Sequence, residues 1–143
     1  MHQGACDTAI AMADLSDHKF KIGTALVRGK RIIGVGFNQN KTSPAISRDI
    51  YKYSLCDKLH GEMFIIFKAL RNGTDLKGTK LYVARKNTQG LSMSRPCPLC
   101  WSLIVENGIK EVFYTNLEGI WVSERVNSGA IYVYPKNKFE IAL

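Results

Sequence analysis

The chain lacks any run of about 18 apolar residues, the length that a membrane-crossing helix requires, and its start has no basic segment leading into an apolar one. Neither a spanning helix nor a secretory leader is expected, and the cytoplasm is the expected location. There is no internal repeat and no low-complexity segment, which leaves no basis for a repeat array or a long disordered linker. Cysteine is sparse, with four in 143 residues, too few for a disulfide-dense secreted scaffold and consistent with a reducing compartment. Acidic residues are also in short supply. Asp and Glu number 12 against 20 Lys and Arg, giving a net charge of +8 and a pI near 9.4. That balance suits phosphate-bearing partners, although a solvated basic face would produce it equally well. The hydrophobic share of 45% and charged share of 22% are ordinary for a globular chain, so one domain over residues 1–143 is expected.

Two short motifs carry the chemistry: His60-Gly61-Glu62 and Pro96-Cys97-Pro98-Leu99-Cys100. Alone, each is weak. A solitary Cys-x-x-Cys serves as a redox pair or as half of a four-ligand zinc knuckle, and an isolated His-x-Glu carries little information. Together they supply three zinc ligands, His60, Cys97 and Cys100, plus one unligated carboxylate. Structural zinc sites close the tetrahedron with four protein ligands, whereas catalytic sites use three and leave a position for water or substrate. Cys97 and Cys100 stand three residues apart, so in the first turn of a helix both sulfurs point the same way. Glu62 is turned away from the ligand direction but stays close enough to move protons, which makes it the candidate acid/base. Cys6 and Cys56 belong to no second Cys-x-x-Cys and read as small buried hydrophobes.

Periodicity places these motifs. Ala5, Ala9, Met12 and Ala13, with Ile10 nearby, predict an opening helix to about Leu15. Lys21 to Val27 and Arg31 to Phe37 predict a hairpin, and residues 39–58 form a polar stretch without clear period. Met63, Ile66, Phe67 and Leu70 trace the apolar face of a helix from His60 to about Arg71, closed by Asn72-Gly73. Leu81 and Val83 alternate with Tyr82 in a strand, and a loop containing Gly90 follows. Cys97 to Glu106 reads as a second helix with prolines at its start, then strands over Ile109 to Tyr114, Ile120 to Val126 and Ala130 to Tyr134.

With these residues in place, the chain resembles the cytidine and deoxycytidylate deaminase superfamily of zinc enzymes, whose pattern is H-x-E followed by P-C-x-x-C. The likeness extends to Ile22–Asn38 as the first hairpin, Leu76–Arg85 as the central strand and Asn107–Tyr114 as the strand after the second zinc helix, about residues 4 to 115 in all. It implies a three-layer α/β/α cytidine-deaminase-like fold, with a mixed sheet of about five strands and both zinc helices on one face. The short Leu117-Glu118-Gly119 turn suggests that the fifth strand runs antiparallel. The resemblance implies a Zn2+ cofactor held by His60, Cys97 and Cys100, with zinc-bound hydroxide as nucleophile and Glu62 as proton carrier. Zinc lowers the pKa of bound water from about 15.7 to about 7, worth about 12 kcal/mol. It also makes Asn38 a sugar contact, where a turn residue ending a strand is the competing reading. Gly61 stands where alanine is frequent, at a backbone position that holds the base. Trp101 occupies a place where many members have a small residue, and reads as a core tryptophan.

The expected reaction is hydrolytic deamination of a cytosine base in a free nucleotide or nucleoside, with dCMP favoured, by a homo-oligomer that does not engage membranes. Two alternatives remain open. One is a deaminase acting on cytidine or adenosine in single-stranded DNA or RNA: nine basic residues lie between Lys19 and Lys58 against Asp49 and Asp57, with Tyr51 and Tyr53 among them, and Ser94 precedes Pro96-Cys97 as in polynucleotide deaminases. The other is an inactive deaminase-fold protein that keeps zinc and binds nucleic acid, which the intact Glu62 argues against.

Overall fold

The computed structural model describes residues 1–17, 20–38 and 61–134, with residues 61–64 described as helix backbone only. His60, Cys56, the loop 39–58 and the terminal stretch from Phe139 lie outside these residues. Helix α1 (Gln3–Asp14) begins at His2, whose Nδ1 accepts the Ala5 N–H at 3.0 Å, and it buries Ala5, Cys6, Ala9 and Ala13. A hairpin follows, β1 (Lys21–Arg28) and β2 (Arg31–Phe37), as the sequence predicts. Then come α2 (Gly61–Arg71), β3 (Lys80–Asn87), β4 (Gly90–Ser92), α3 (Pro98–Glu106), β5 (Glu111–Thr115), β6 (Trp121–Arg125) and β7 (Ile131–Val133). No helix among the described residues is long and apolar enough to cross a membrane.

The strands form one mixed, open sheet in the order β2-β1-β3-β5-β6-β7, with β4 also paired to β3. The described residues hold seven strands where about five are expected, the short segment at Gly90 and both of the last two strand-like runs joining the mixed sheet. β3 and β5 are parallel, and the other pairs are antiparallel. The antiparallel β5–β6 pair agrees with the return expected at Leu117-Glu118-Gly119.

Alternation along the strands divides the core into two layers. Leu26, Leu81, Val83, Val112 and Tyr114 face α2 and α3, where they meet Ile65, Ile66, Cys100, Leu103 and Ile104. Ala25, Val27, Tyr82, Ala84 and Phe113 face α1, where they meet Ala5, Cys6 and Ala9. The architecture is therefore α/β/α. On the α1 side Ala25, Val27 and Ala84 are small, and Tyr82, whose hydroxyl accepts the His2 N–H at 3.0 Å, stacks on Phe113 with centroids 4.2 Å apart. Gly23 permits the close seat of α1: a Cβ there would lie 2.0 Å from the Ala9 carbonyl oxygen and 2.2 Å from the Ala13 nitrogen.

One helical face differs from its prediction. In α2 the buried residues include Ile65, Ile66, Phe67 and Ala69, whereas Leu70 is 46% exposed. The helix turns Ile65 toward Gly34 of β2, where the missing side chain leaves room for it, and Leu70 is carried to the outer side.

Candidate metal centre and active site

Cys97 forms the N-cap of α3, with extended dihedrals (φ −65°, ψ 163°) and Pro98 beginning the helix. Its Sγ accepts the Cys100 N–H at 3.5 Å, and its carbonyl accepts the Trp101 N–H at 2.8 Å. Both sulfurs therefore sit on the first turn, where aligned backbone dipoles favour thiolate. Cys100 is fully buried, Cys97 is partly exposed, and neither is in a disulfide. This donor set fits zinc: two soft sulfur ligands at Cys-x-x-Cys spacing, preset by a helix start before any metal arrives. Helix α2 begins one residue after His60, carries Glu62 in its first turn and contacts α3. Neither the His60 side chain nor that of Glu62 is among those described, and no group of three potential ligands is found among the described residues. Cys6 takes no part. It is fully buried against β1 and β3, and burial, with Asp7 adding to it, pushes its thiol up to about 12.

The segment that delivers Cys97 is fixed by two polar networks. β5 pairs with Lys80 to Val83 of β3, and β4 pairs with Arg85 to Asn87. Ser94 sits at the junction. Its Oγ donates to the Val83 carbonyl (2.8 Å), accepts the Thr115 N–H (2.7 Å) and lies 2.9 Å from Thr115 Oγ1, while its own N–H donates to the Thr115 carbonyl (2.8 Å). Thr115 Oγ1 donates in turn to the Ser92 carbonyl. The serine that precedes Pro96-Cys97 thus has its hydroxyl engaged within the protein. Beside it, Arg95 Nε and Nη2 hold both carboxylate oxygens of Glu124, at 3.1 and 2.9 Å, and the guanidinium stacks over Trp101 at 4.5 Å. Tyr114 donates its hydroxyl to Glu124 Oε1 at 3.0 Å. Arg95 first, and the Tyr114 hydroxyl with it, hold the Glu124 carboxyl below its ordinary range despite burial. Trp101 packs against the core with one side open, so it is a boundary residue that supports Arg95 as well as the apolar layer.

Asn38 lies just past β2. Its Oδ1 accepts from the Ile22 N–H (2.8 Å) and from Ser16 Oγ (2.6 Å), and its Nδ2 donates to the Phe20 carbonyl (2.6 Å). The carboxamide therefore ties the end of α1 to the start of β1, with one Nδ2 hydrogen left without a partner among the described residues. Gly61 is the first residue of α2. No local sequence pattern links Ser94, Thr115, Arg95, Glu124 and Tyr114 as a supporting network, and Glu124 follows Arg95 by 29 residues.

Among the described residues, an open mixed sheet, one helix on one face, two on the other, and a cysteine pair at the carboxyl end of a parallel strand pair define a three-layer α/β/α protein with a candidate metal site at a helix start. Ligand sites in open α/β sheets favour this end of the strands. The chain belongs to the family described as the cytidine and deoxycytidylate deaminase zinc-binding region, whose model matches residues 1–116. Membership implies zinc. A search of curated proteins finds no match. Among solved structures, the cytidine deaminase of Burkholderia pseudomallei is similar at 22% identity and TM-score 0.60, over 94% of this chain and 91% of that one. The dCMP deaminase of cyanophage S-TIM5, in complex with dCMP and dUMP, is similar at 21% identity and TM-score 0.58, over 80% of each chain. The cytidine deaminase of Mycobacterium leprae is similar at 19% identity and TM-score 0.55, over 87% of this chain and 92% of that one. At these identities the likeness defines the fold.

Proposed function

We propose that this protein is a zinc-dependent hydrolase that converts a cytosine base to uracil in a free nucleotide or nucleoside, with dCMP the favoured substrate. The observation that carries the proposal is the Cys97 and Cys100 pair on the first turn of α3, in a chain whose family is defined by zinc-binding deaminases. His60, Cys97 and Cys100 hold the metal. Zinc, when bound, supplies the Lewis acidity that makes water a nucleophile at neutral pH. Glu62 takes a proton from the attacking water and delivers it to the ring nitrogen beside the attacked carbon, then takes the second proton from the hydroxyl now on that carbon and delivers it to the departing amine, so that ammonia leaves and a carbonyl remains. Gly61 presents its backbone to the base. Asn38 offers the remaining Nδ2 hydrogen to a sugar hydroxyl, held in position by Ser16, Phe20 and Ile22.

The Ser94 hydrogen bonds weaken one argument for a polynucleotide substrate, since they explain the serine through Val83 and Thr115 alone. A panel of dCMP, CMP, deoxycytidine, cytidine, adenosine and a single-stranded oligonucleotide, read by ammonia release, tests the assignment. The expected result is fastest turnover of dCMP. Preference for the oligonucleotide would overturn it, and no release from any cytosine substrate would remove the enzymatic reading altogether.

A further inference from the structure

Arg85 is a half-buried cation that forms no ion pair among the described residues. Alternation along β3 puts it after Leu81 and Val83, on the sheet face that carries α2 and α3, and its cross-strand partners are Ile22 on β1 and Ser92 on β4. Ile22, Met93 and Cys97 each pack against the same core layer. The guanidinium lies 4.5 Å over the Phe20 ring, and Nη1 reaches only the Met93 carbonyl, at 3.5 Å. Its Nε is buried and has no hydrogen-bond partner. No carboxylate among the described residues forms an ion pair with it. Removing a guanidinium from water without an anion is costly, and Arg85 stands near the end of β3 on the sheet face against which Cys97 packs.

We infer that Arg85 is a specificity-determining residue that receives the phosphate of a nucleoside monophosphate substrate. The inference rests on the deaminase reading and narrows it from nucleoside or nucleotide to the phosphate-bearing form. A phosphate dianion supplies the charge and the acceptor oxygens that the guanidinium lacks, and the planar fork of arginine matches it in two-point contact. The Phe20 ring holds the guanidinium plane, and the Met93 carbonyl anchors one end, so the cation is oriented before the anion arrives. Asn38 and Ile22 lie on the neighbouring strands of the same sheet end, Asn38 bonded to Ile22. The proposed sugar contact just past β2 and the proposed phosphate contact on β3 thus flank β1 at the same end of the sheet, with Ile22 between them.

The test compares dCMP with deoxycytidine in the zinc-loaded enzyme, and uses inorganic phosphate as an independent probe. Wild type should prefer dCMP by about 100-fold or more in kcat/KM, and Arg85→Gln should abolish most of that preference, chiefly through KM, while lowering turnover of deoxycytidine no more than about 3-fold. Arg85→Lys should fall between them, because a point charge replaces a fork. Inorganic phosphate should raise the melting temperature of wild type and have less effect on Arg85→Gln. Equal treatment of dCMP and deoxycytidine by wild type, equal losses on both substrates in the variants, or equal phosphate stabilisation of wild type and Arg85→Gln would each overturn the assignment. Should neither substrate be deaminated, the enzymatic reading fails while the phosphate titration still decides the role of Arg85. If Arg85→Gln does not fold, the wild-type preference and Arg85→Lys decide it.

Discussion

Truncating Glu124 to alanine removes three interactions at once: two charge-assisted bonds to Arg95 and the acceptor for the Tyr114 hydroxyl. Their values differ because their surroundings differ. The Arg95 side chain is 43% exposed, so water replaces the lost carboxylate and the pair contributes about 1 kcal/mol after screening. Tyr114 is buried, and a hydroxyl left there without an acceptor costs about 1 to 3 kcal/mol. The expected loss on unfolding by urea is thus about 3 kcal/mol, near 10 °C in melting temperature for a chain of this size. Glu124→Gln retains an acceptor for Tyr114 and should lose about half as much. A double-mutant cycle with Arg95→Ala should give a coupling of about 1 kcal/mol.

The pH dependence follows from the lowered Glu124 carboxyl. A group whose folded pKa is depressed stabilises the fold fully above its ordinary value of 4.5, and that contribution disappears as pH falls through the lower folded value. The stability gap between wild type and Glu124→Ala should therefore narrow below about pH 4.5. A loss below about 0.5 kcal/mol in Glu124→Ala, or an equal loss in Glu124→Gln, would refute the reasoning from burial.

Other substitutions probe separate parts of the molecule. Gly23→Ala forces a methyl into the backbone of α1 at Ala9 and Ala13, so chemical denaturation should register a loss of at least about 3 kcal/mol or failure to fold; a stable variant would contradict the close seat of the helix. Cys97→Ala should lose zinc, measured by metal analysis, and part of its thermal stability with it. Cys6, with its thiol pushed up to about 12 by burial, should resist alkylation at neutral pH in the native protein, and rapid labelling by mass spectrometry would contradict its burial.

Much of the fold is legible in the sequence because burial follows simple periods. Leu81 and Val83 alternating with Tyr82 mark both faces of β3, and Ala5, Ala9 and Ala13 mark the inner side of α1. The hairpin is equally clear, since the charged Arg28-Gly29-Lys30 separates two apolar runs. The three-residue strand β4 is not legible, because Gly90 to Ser92 becomes a strand only by pairing with Arg85 to Asn87. Leu70 fits the period of α2 but lies outside because Ile65 finds the space at Gly34. At the candidate site, the Cys97 and Cys100 spacing announces the helix start, but the hold on that start comes from Thr115 and Glu124, far along the chain. Asn38 is named by its place after the hairpin, whereas its bonds to Ser16, Phe20 and Ile22 require the folded arrangement. Charge composition does not separate Arg85 from the other cations, since its buried Nε without a hydrogen-bond partner is a property of the packed sheet.

The division of labour between metal ligands and proton carrier is tested most directly by measuring zinc content and dCMP deamination together in purified Glu62→Ala. The expected result is zinc retained at the wild-type level with turnover reduced by about 1000-fold or more, because the carboxylate moves protons and does not bind the metal. Loss of zinc from the variant, or turnover near that of wild type, would contradict it.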